Sequence, residues 1–198
     1  MNVRDYGREV IRMEAGAIAG LAERLDENFD RAVELILGCK GRVIVTGLGK
    51  SGLIGKKIAA TFNSTGISSF FLHPTEAMHG DLGLVQPDDL VILVSNSGET
   101  AEVLAILPQI KRLGAKTIAM VSNVQSTLGR ECDLALPHGA EEEAGPFKFA
   151  GSSSALNTMA LCDALIMAVA AAQGLSDEDY LKFHPGGEVG CKLKEKHH

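Results

Sequence analysis

Ser95-Asn96-Ser97-Gly98-Glu99-Thr100 is the segment of this chain best equipped for chemistry. It follows the apolar run Leu90-Val91-Ile92-Leu93-Val94, and after it Val103, Leu104, Leu107 and Ile110 recur at helical spacing. A strand therefore ends in a hydroxyl-rich loop with one glycine, and that loop opens a helix. Hydroxyls, free backbone N–H groups and the positive end of a helix dipole together make an anion site. The loop contains no Lys or Arg, so neutral donors would hold the anion. That suits a small phosphorylated metabolite better than a nucleic-acid backbone. Ser95, Asn96, Ser97, Gly98 and Thr100 are the candidate phosphate ligands.

A second loop, Gly47-Leu48-Gly49-Lys50-Ser51-Gly52, also lies between a strand and a helical pattern. Its Gly-x-Gly-x-x-Gly spacing matches the dinucleotide fingerprint, but that fingerprint wants an acidic residue about twenty positions on, at the end of the second strand. This chain has His73-Pro74 there. The Walker pattern fails too, because Ile44 stands where it needs its first glycine. What remains is Gly49, Lys50 and Ser51 at a helix N-terminus. A cation is disfavoured at that end of a helix. Lys50 is thus either a solvated lysine or one facing the same anion as the 95–100 loop.

The positioning elements follow from periodicity. Residues 8–24 and 28–38 read as helices, 43–45 as a buried strand, and 49–65 as a helix. Residues 69–72 read as a strand, 73–83 as a loop, 90–94 as a strand and 99–113 as a helix. Residues 116–121 and 134–136 complete the strands, and 153–172 is a long apolar helix. Strand and helix alternate from residue 43 onward, which predicts a parallel sheet covered by helices on both faces. The loops at 46–52 and 95–100 should then lie side by side at the C-terminal sheet edge, where doubly wound sheets bind ligands. The helix at 153–172 is apolar nearly all round, which implies burial on all sides, in the core or partly against another subunit.

The 198 residues suit one domain, with N-terminal helices over 1–40, sheet and crossover helices over 41–175, and a C-terminal segment over 176–198. Hydrophobic content is 45%, charged content 22% and formal net charge −6, with no basic run. Those values speak against a nucleic-acid partner. No apolar stretch is expected to span a membrane, and the mixed, charged start is unlike a signal peptide. Cys39, Cys132, Cys162 and Cys191 are scattered and read as reduced cytosolic thiols, with no metal-site spacing. The terminal His197-His198 is assigned no function.

Gly49-Lys50-Ser51-Gly52, His79-Gly80-Asp81-Leu82-Gly83, the 95–99 segment and His184-Pro185-Gly186-Gly187 occur in this order along the chain. Together they resemble a sugar isomerase (SIS) domain, most closely the arabinose-5-phosphate isomerase branch, over residues 5–193. The resemblance implies a flavodoxin-like, doubly wound α/β fold, a three-layer sandwich around a five-stranded parallel sheet. It implies a Ser-rich loop that binds sugar phosphate and a homotetramer with sites between subunits. The implied reaction interconverts D-arabinose 5-phosphate and D-ribulose 5-phosphate on the route to Kdo, in the cytoplasm and without a metal or cofactor. The branch's functional positions fall on Lys50, His79, Glu102, Glu143 and His184. Paired CBS domains often follow in the family, and this chain is read as a SIS domain lacking them. It also departs from the branch at 145–154, Gly-Pro-Phe-Lys-Phe-Ala-Gly-Ser-Ser-Ser, a segment that should border the substrate and bears on sugar choice.

An aldose–ketose isomerase opens the sugar ring, moves a proton between carbons 1 and 2, and steadies an enediolate. A carboxylate or imidazole can take the proton, and donors or a cation can steady the oxyanion. Glu102 or Glu143 would be the base, a histidine would open the ring, and Lys50 would face the oxyanion. Each has a plainer reading. Glu102 suits a helix first turn, Glu143 lies in an acidic run typical of a solvated loop, and His79 suits a backbone-satisfied loop. His184 precedes a proline and should sit on a rigid turn rather than mid-helix. His73 is read as structural. Two rival functions stand beside the isomerase: a non-catalytic sugar-phosphate sensor, and an isomerase for another sugar phosphate.

Overall fold

The computed structural model describes residues 2–196; the His197–His198 pair lies outside them. Two helices lead in, α1 (Val3–Ala22) and α2 (Glu27–Gly38), capped by the side chains of Asn2 and Asp26. Then β1 (Val43–Gly47), α3 (Gly49–Ser64), β2 (Ser69–Leu72), α4 (Pro74–Ala77) and a 3-10 turn at Asp81–Leu84 follow. Next come β3 (Leu90–Val94), α5 (Ala101–Leu113), β4 (Lys116–Val121), α6 (Thr127–Glu131) and β5 (Leu134–Pro137). The chain closes with α7 (Ser153–Ala172), α8 (Asp177–Phe183) and α9 (Gly187–Lys196).

The five strands pair in parallel in the order β2-β1-β3-β4-β5. This is the doubly wound arrangement whose order reverses between β1 and β3. Alternate residues of each strand enter opposite layers. Val43, Val45, Ile92, Val94, Ile118 and Met120 pack with α1, α2, α3 and α7. Ile44, Val91, Leu93, Ala119 and Val121 pack with α4, α5 and α6 on the other face. Both faces are therefore covered, as strands without alternating polarity require. The expected five-stranded, three-layer α/β sandwich is what the chain forms.

The differences from the sequence reading are local. The 73–83 segment, expected as loop, contains α4 and the 3-10 turn, with Pro74 at the first helical position where its missing N–H costs nothing. The short α6 and the C-terminal α8 and α9 carry too few apolar repeats to register as periodic. The expectation for α7 needs one correction. Its length and mean hydropathy of 1.7 would suffice to cross a membrane, contrary to the expectation that no segment would. Within one chain it is only partly buried, which agrees with the alternative of burial against another subunit. The face bearing Ser154, Thr158, Leu161, Leu165 and Val169 is buried, whereas Ala164, Met167 and Ala171 are exposed. None of the four cysteines is disulfide-bonded.

At the N-terminal sheet edge, Asp89 joins the starts of β1 and β3. Its buried carboxylate accepts from the Arg42 N–H (2.7 Å), the Gln86 N–H (2.8 Å) and the Arg42 guanidinium (3.1 Å). Burial works to raise the carboxyl's pKa, but these donors outweigh it and hold it below the usual carboxylate value. A depressed pKa means stabilisation that is complete above the unfolded value of about 3.9 and lost as pH falls through the lower folded value. Asp89→Asn is expected to cost about 3 kcal/mol at neutral pH, by leaving Arg42 and two N–H groups poorly matched. In urea unfolding, the gap between wild type and variant should close as pH falls below about 4; a pH-independent gap counts against the ion pair as its source.

Candidate functional site

Two glycine-permitted approaches bring the two loops together. β1 and β3 are in register to their ends, with Gly47 opposite Val94. A Cβ on Gly52 would lie 2.7 Å from the Gly47 carbonyl oxygen, so the start of α3 can press onto β1 only with glycine there. The Gly-x-Gly-x-x-Gly spacing thus serves helix–strand packing. The N-termini of α3 and α5 consequently open at the same sheet edge. Neither has a side-chain cap, so their first-turn N–H groups face outward as donors.

The 95–100 loop is rigid for identifiable reasons. Ser95 is 1% exposed. Its Oγ accepts the Gly98 N–H (3.0 Å) and shares a hydrogen bond with Thr100 Oγ1 (2.8 Å). Ser95 therefore shapes the loop from inside rather than facing the opening as its place among the candidate ligands suggested. Gly98 has φ +69° and is buried against Ser126, whose side chain occupies the space a Cβ would need. Asn96 and Ser97 are exposed. Ser97 Oγ accepts the Glu99 N–H (3.1 Å), which leaves its own proton free for an outside acceptor. The Asn96 carbonyl accepts from the Ser122 N–H (2.9 Å) and hydroxyl (2.6 Å). Glu99 turns away and accepts the Thr127 N–H (2.7 Å).

Glu143 is not a solvated member of the acidic run. It is half-buried, and one carboxylate oxygen accepts the Ser152 N–H (2.8 Å), the Ser152 hydroxyl (3.1 Å) and the Ser154 N–H (3.2 Å). Those donors belong to the N-terminus of α7. Burial works to raise its pKa, but the Ser154 and Ser152 hydrogen bonds outweigh it and hold the carboxyl below its ordinary value. Gly151, at φ +61°, immediately precedes these donors, and the Lys50 side chain runs past it: Nζ is 3.9 Å from where a Cβ would stand. Lys50 and the Glu143 cradle are thus neighbours across the mouth of the site.

A cavity of about 580 Å³ borders the Glu143 cradle and reaches the 95–100 loop at Asn96; Ser122, Glu141, Lys148 and Ser154 also line it, whereas Lys50, Ser51, Ser97 and Thr100 do not. Ser122 and Lys148 were not singled out from sequence. Ser122 follows a strand end, which is a usable signal, and Lys148 lies in the 145–154 segment expected to border the substrate. Phe147 and Phe149 stand out from the same loop, Phe149 fully exposed. Among the described residues, no group of three or more His, Cys, Asp or Glu side chains could hold a metal ion.

His79, Glu102 and His184 do not line this cavity. His79 is exposed on the turn after α4, and Glu102 is exposed in the first turn of α5; both belong to the C-terminal sheet edge. His184 does not. It ends α8, stacked on Tyr180 (4.1 Å between centroids), with Nδ1 3.0 Å from the Tyr180 carbonyl oxygen. The adjacent Phe183 packs on Gly66, just past the C-terminal end of α3. Lys50 is in the first turn of α3, and its sixteen residues put the two ends about 24 Å apart. Within one chain His184 and Lys50 are too distant to share a ligand. His73, read as structural, packs edge-on to Phe71.

The SIS domain family model matches residues 36–168, two thirds of the chain. The chain belongs to the SIS domain family. Among curated relatives, it is 46% identical over 200 residues to the Haemophilus influenzae protein named probable arabinose 5-phosphate isomerase, covering 99% of this chain and 59% of that protein. It is likewise 46% identical to Escherichia coli K12 arabinose 5-phosphate isomerase KdsD, covering 94% of this chain and 57% of that protein. This SIS domain therefore spans just under three fifths of the length of those curated relatives. Among solved structures, E. coli CFT073 c3406 in complex with arabinose 5-phosphate superposes with a TM-score of 0.90 at 38% identity, covering 93% of this chain and all of that one.

Gly98→Ala is expected to destabilise the SIS domain by about 1–3 kcal/mol, since it adds a side chain at positive φ and collides with Ser126. Urea unfolding measures this. An unchanged midpoint would show that the loop is free to move off Ser126.

Proposed function

We propose that this SIS domain is a sugar-phosphate aldose–ketose isomerase, interconverting D-arabinose 5-phosphate and D-ribulose 5-phosphate in the cytoplasm, on the route to Kdo. The observation that carries the reading is the shared cavity. A carboxylate kept ionised by helix N–H groups opens onto the space that the 95–100 loop also borders. The curated relatives' names, and the arabinose 5-phosphate complex of a structural neighbour, support the choice of sugar phosphate.

The roles follow from position. The phosphate binds at the paired N-termini of α3 and α5, held by Ser97, Asn96, Thr100, Ser51 and backbone N–H groups from Gly49 onward. Carbons 1 and 2 then extend toward Glu143. Its carboxylate takes the proton from one carbon and returns it to the other. Lys50, beside Gly151, stabilises the enediolate oxygen. Glu102 lies one turn beyond the phosphate loop and orients the sugar hydroxyls, with His79 at the same edge. His184 assists ring opening from a second copy of the chain, because its own Lys50 lies a helix length away. The exposed apolar residues Val3, Ile11 and Ile18 on α1 and Met167 on α7 offer surface for that assembly, which we take to be a tetramer.

Purified protein should convert arabinose 5-phosphate selectively when ribose, glucose and fructose phosphates are run alongside. No turnover of any, with thermal stabilisation by one, would favour a sensor. Glu143→Gln should lower kcat about 100-fold or more, while Ser97→Ala should mainly raise KM, about tenfold, by removing a donor to a group that does not react. Mixing inactive Glu143→Gln with inactive His184→Ala should restore up to about a quarter of wild-type activity if each site draws His184 from a partner. Failure of refolded mixtures to recover any activity would show that no site draws His184 from a second chain.

A further inference from the structure

His138 follows β5 and is 1% exposed. Its backbone N–H donates to the Val121 carbonyl at the end of β4 (2.9 Å). Its ring Nδ1 lies 3.1 Å from Thr158 Oγ1, and that hydroxyl lies 2.8 Å from the Ser154 carbonyl one turn back in α7. A threonine hydroxyl has a single proton. When it goes to Ser154, Nδ1 donates to Thr158; when it goes to Nδ1, the ring proton sits on Nε2. Either tautomer keeps the ring joined to Thr158. Nε2 is buried without a protein partner, and so is Oδ1 of Asn157, the residue beside Thr158.

An imidazole with one nitrogen unpartnered is a costly choice for a core position. A leucine would fill the space without that cost. The position suggests what the imidazole does. Ser154 is one of the two residues that hold the Glu143 carboxylate, its N–H at 3.2 Å beside the Ser152 N–H and hydroxyl. His138, Thr158, Ser154 and Glu143 form one continuous chain of hydrogen-bonded groups. The Met120 carbonyl, which faces the His138 ring, accepts the Ser95 N–H at 3.0 Å. The ring therefore stands between the 95–100 loop and the carboxylate cradle, in contact with the frame of both.

We propose that His138 is a positioning residue for Glu143: through Thr158 it fixes the first turn of α7, and so the direction in which the Glu143 carboxylate faces the cavity. His138 does not touch the substrate. Burial keeps it neutral, with its pKa pushed down to about 4, so it acts as a fixed hydrogen-bond partner and not as an acid or base near neutral pH. The consequence for turnover rests on the isomerase reading above; the consequence for Glu143 itself does not.

Three variants test the link. His138→Asn places an amide nitrogen where Nδ1 stands, and His138→Gln reaches the place of Nε2 instead. Thr158→Val breaks the same link from the helix side at nearly constant volume. With arabinose 5-phosphate, His138→Asn should keep kcat within about threefold of wild type, while His138→Gln and Thr158→Val should lose about 10–100-fold in kcat with KM within about threefold. In parallel, the Glu143 carboxyl is titrated by carbon NMR in the intact protein. It should stay below its ordinary pKa in wild type and His138→Asn, and move up in the other two. Loss of function in His138→Asn equal to that in His138→Gln would overturn the proposal, as would a Glu143 titration unmoved in His138→Gln and Thr158→Val. A wild type inactive on every sugar phosphate, with the titrations still separating the variants, would reject the isomerase reading and leave the positioning role standing.

Discussion

Parallel pairing of β1 with β3, carried in register to Gly47 and Val94, is the constraint on which the site depends. β2 lies beyond β1 on one side and β4 beyond β3 on the other, so the chain leaves the sheet in diverging directions at this one junction. Two helices start there without capping side chains, and their N–H groups remain available. The junction needs close backbone approach, which is why Gly47 and Gly52 face carbonyl oxygens where a Cβ would not fit. The candidate anion site is thus a by-product of strand order, made possible by glycine.

Across the mouth, the N-terminus of α7 is already occupied by the protein's own anion. Glu143 receives the donors that a ligand's phosphate would otherwise take there. On the proposed reading, neutral loop donors at α3 and α5 would take the non-reacting phosphate and the ionised carboxylate would face the reacting carbons. Lys50 stands between them, passing Gly151. A cation at the N-terminus of α3 is unfavourable for that helix, and its proximity to the Glu143 cradle gives the local cost a compensating partner region.

The single chain leaves matching signs of incompleteness. His184 is held in place by stacking on Tyr180 at the end of the molecule far from Lys50. Residues of α1 and α7 that are apolar and exposed lie on the helical layer that also carries α3 and α8. A site that draws a side chain from a second copy would account for both, and would make activity dependent on assembly.

The sheet and its crossover helices were legible from sequence. The apolar runs at 69–72, 90–94 and 116–121 match β2, β3 and β4 in extent, since buried parallel strands must be apolar on both faces. The placement of the 95–100 loop at a helix N-terminus was legible for the same reason. Short helices such as α4 and α6 were not, because their form depends on packing against α5 and β4 rather than on their own periodicity. Glu143 shows the limit most clearly. By composition it belongs to a solvated acidic run. Only the return of the chain through Gly151 to the start of α7 brings its carboxylate to the Ser152 and Ser154 N–H groups, nine and eleven residues away. His138 had no signal at all, because its role lies in contacts to Thr158 and to the end of β4. Sequence by itself determined which residues can form strands, helices and donors, since these are local preferences of the backbone. Tertiary structure decided which donors meet which charges, since that depends on where distant segments are brought together.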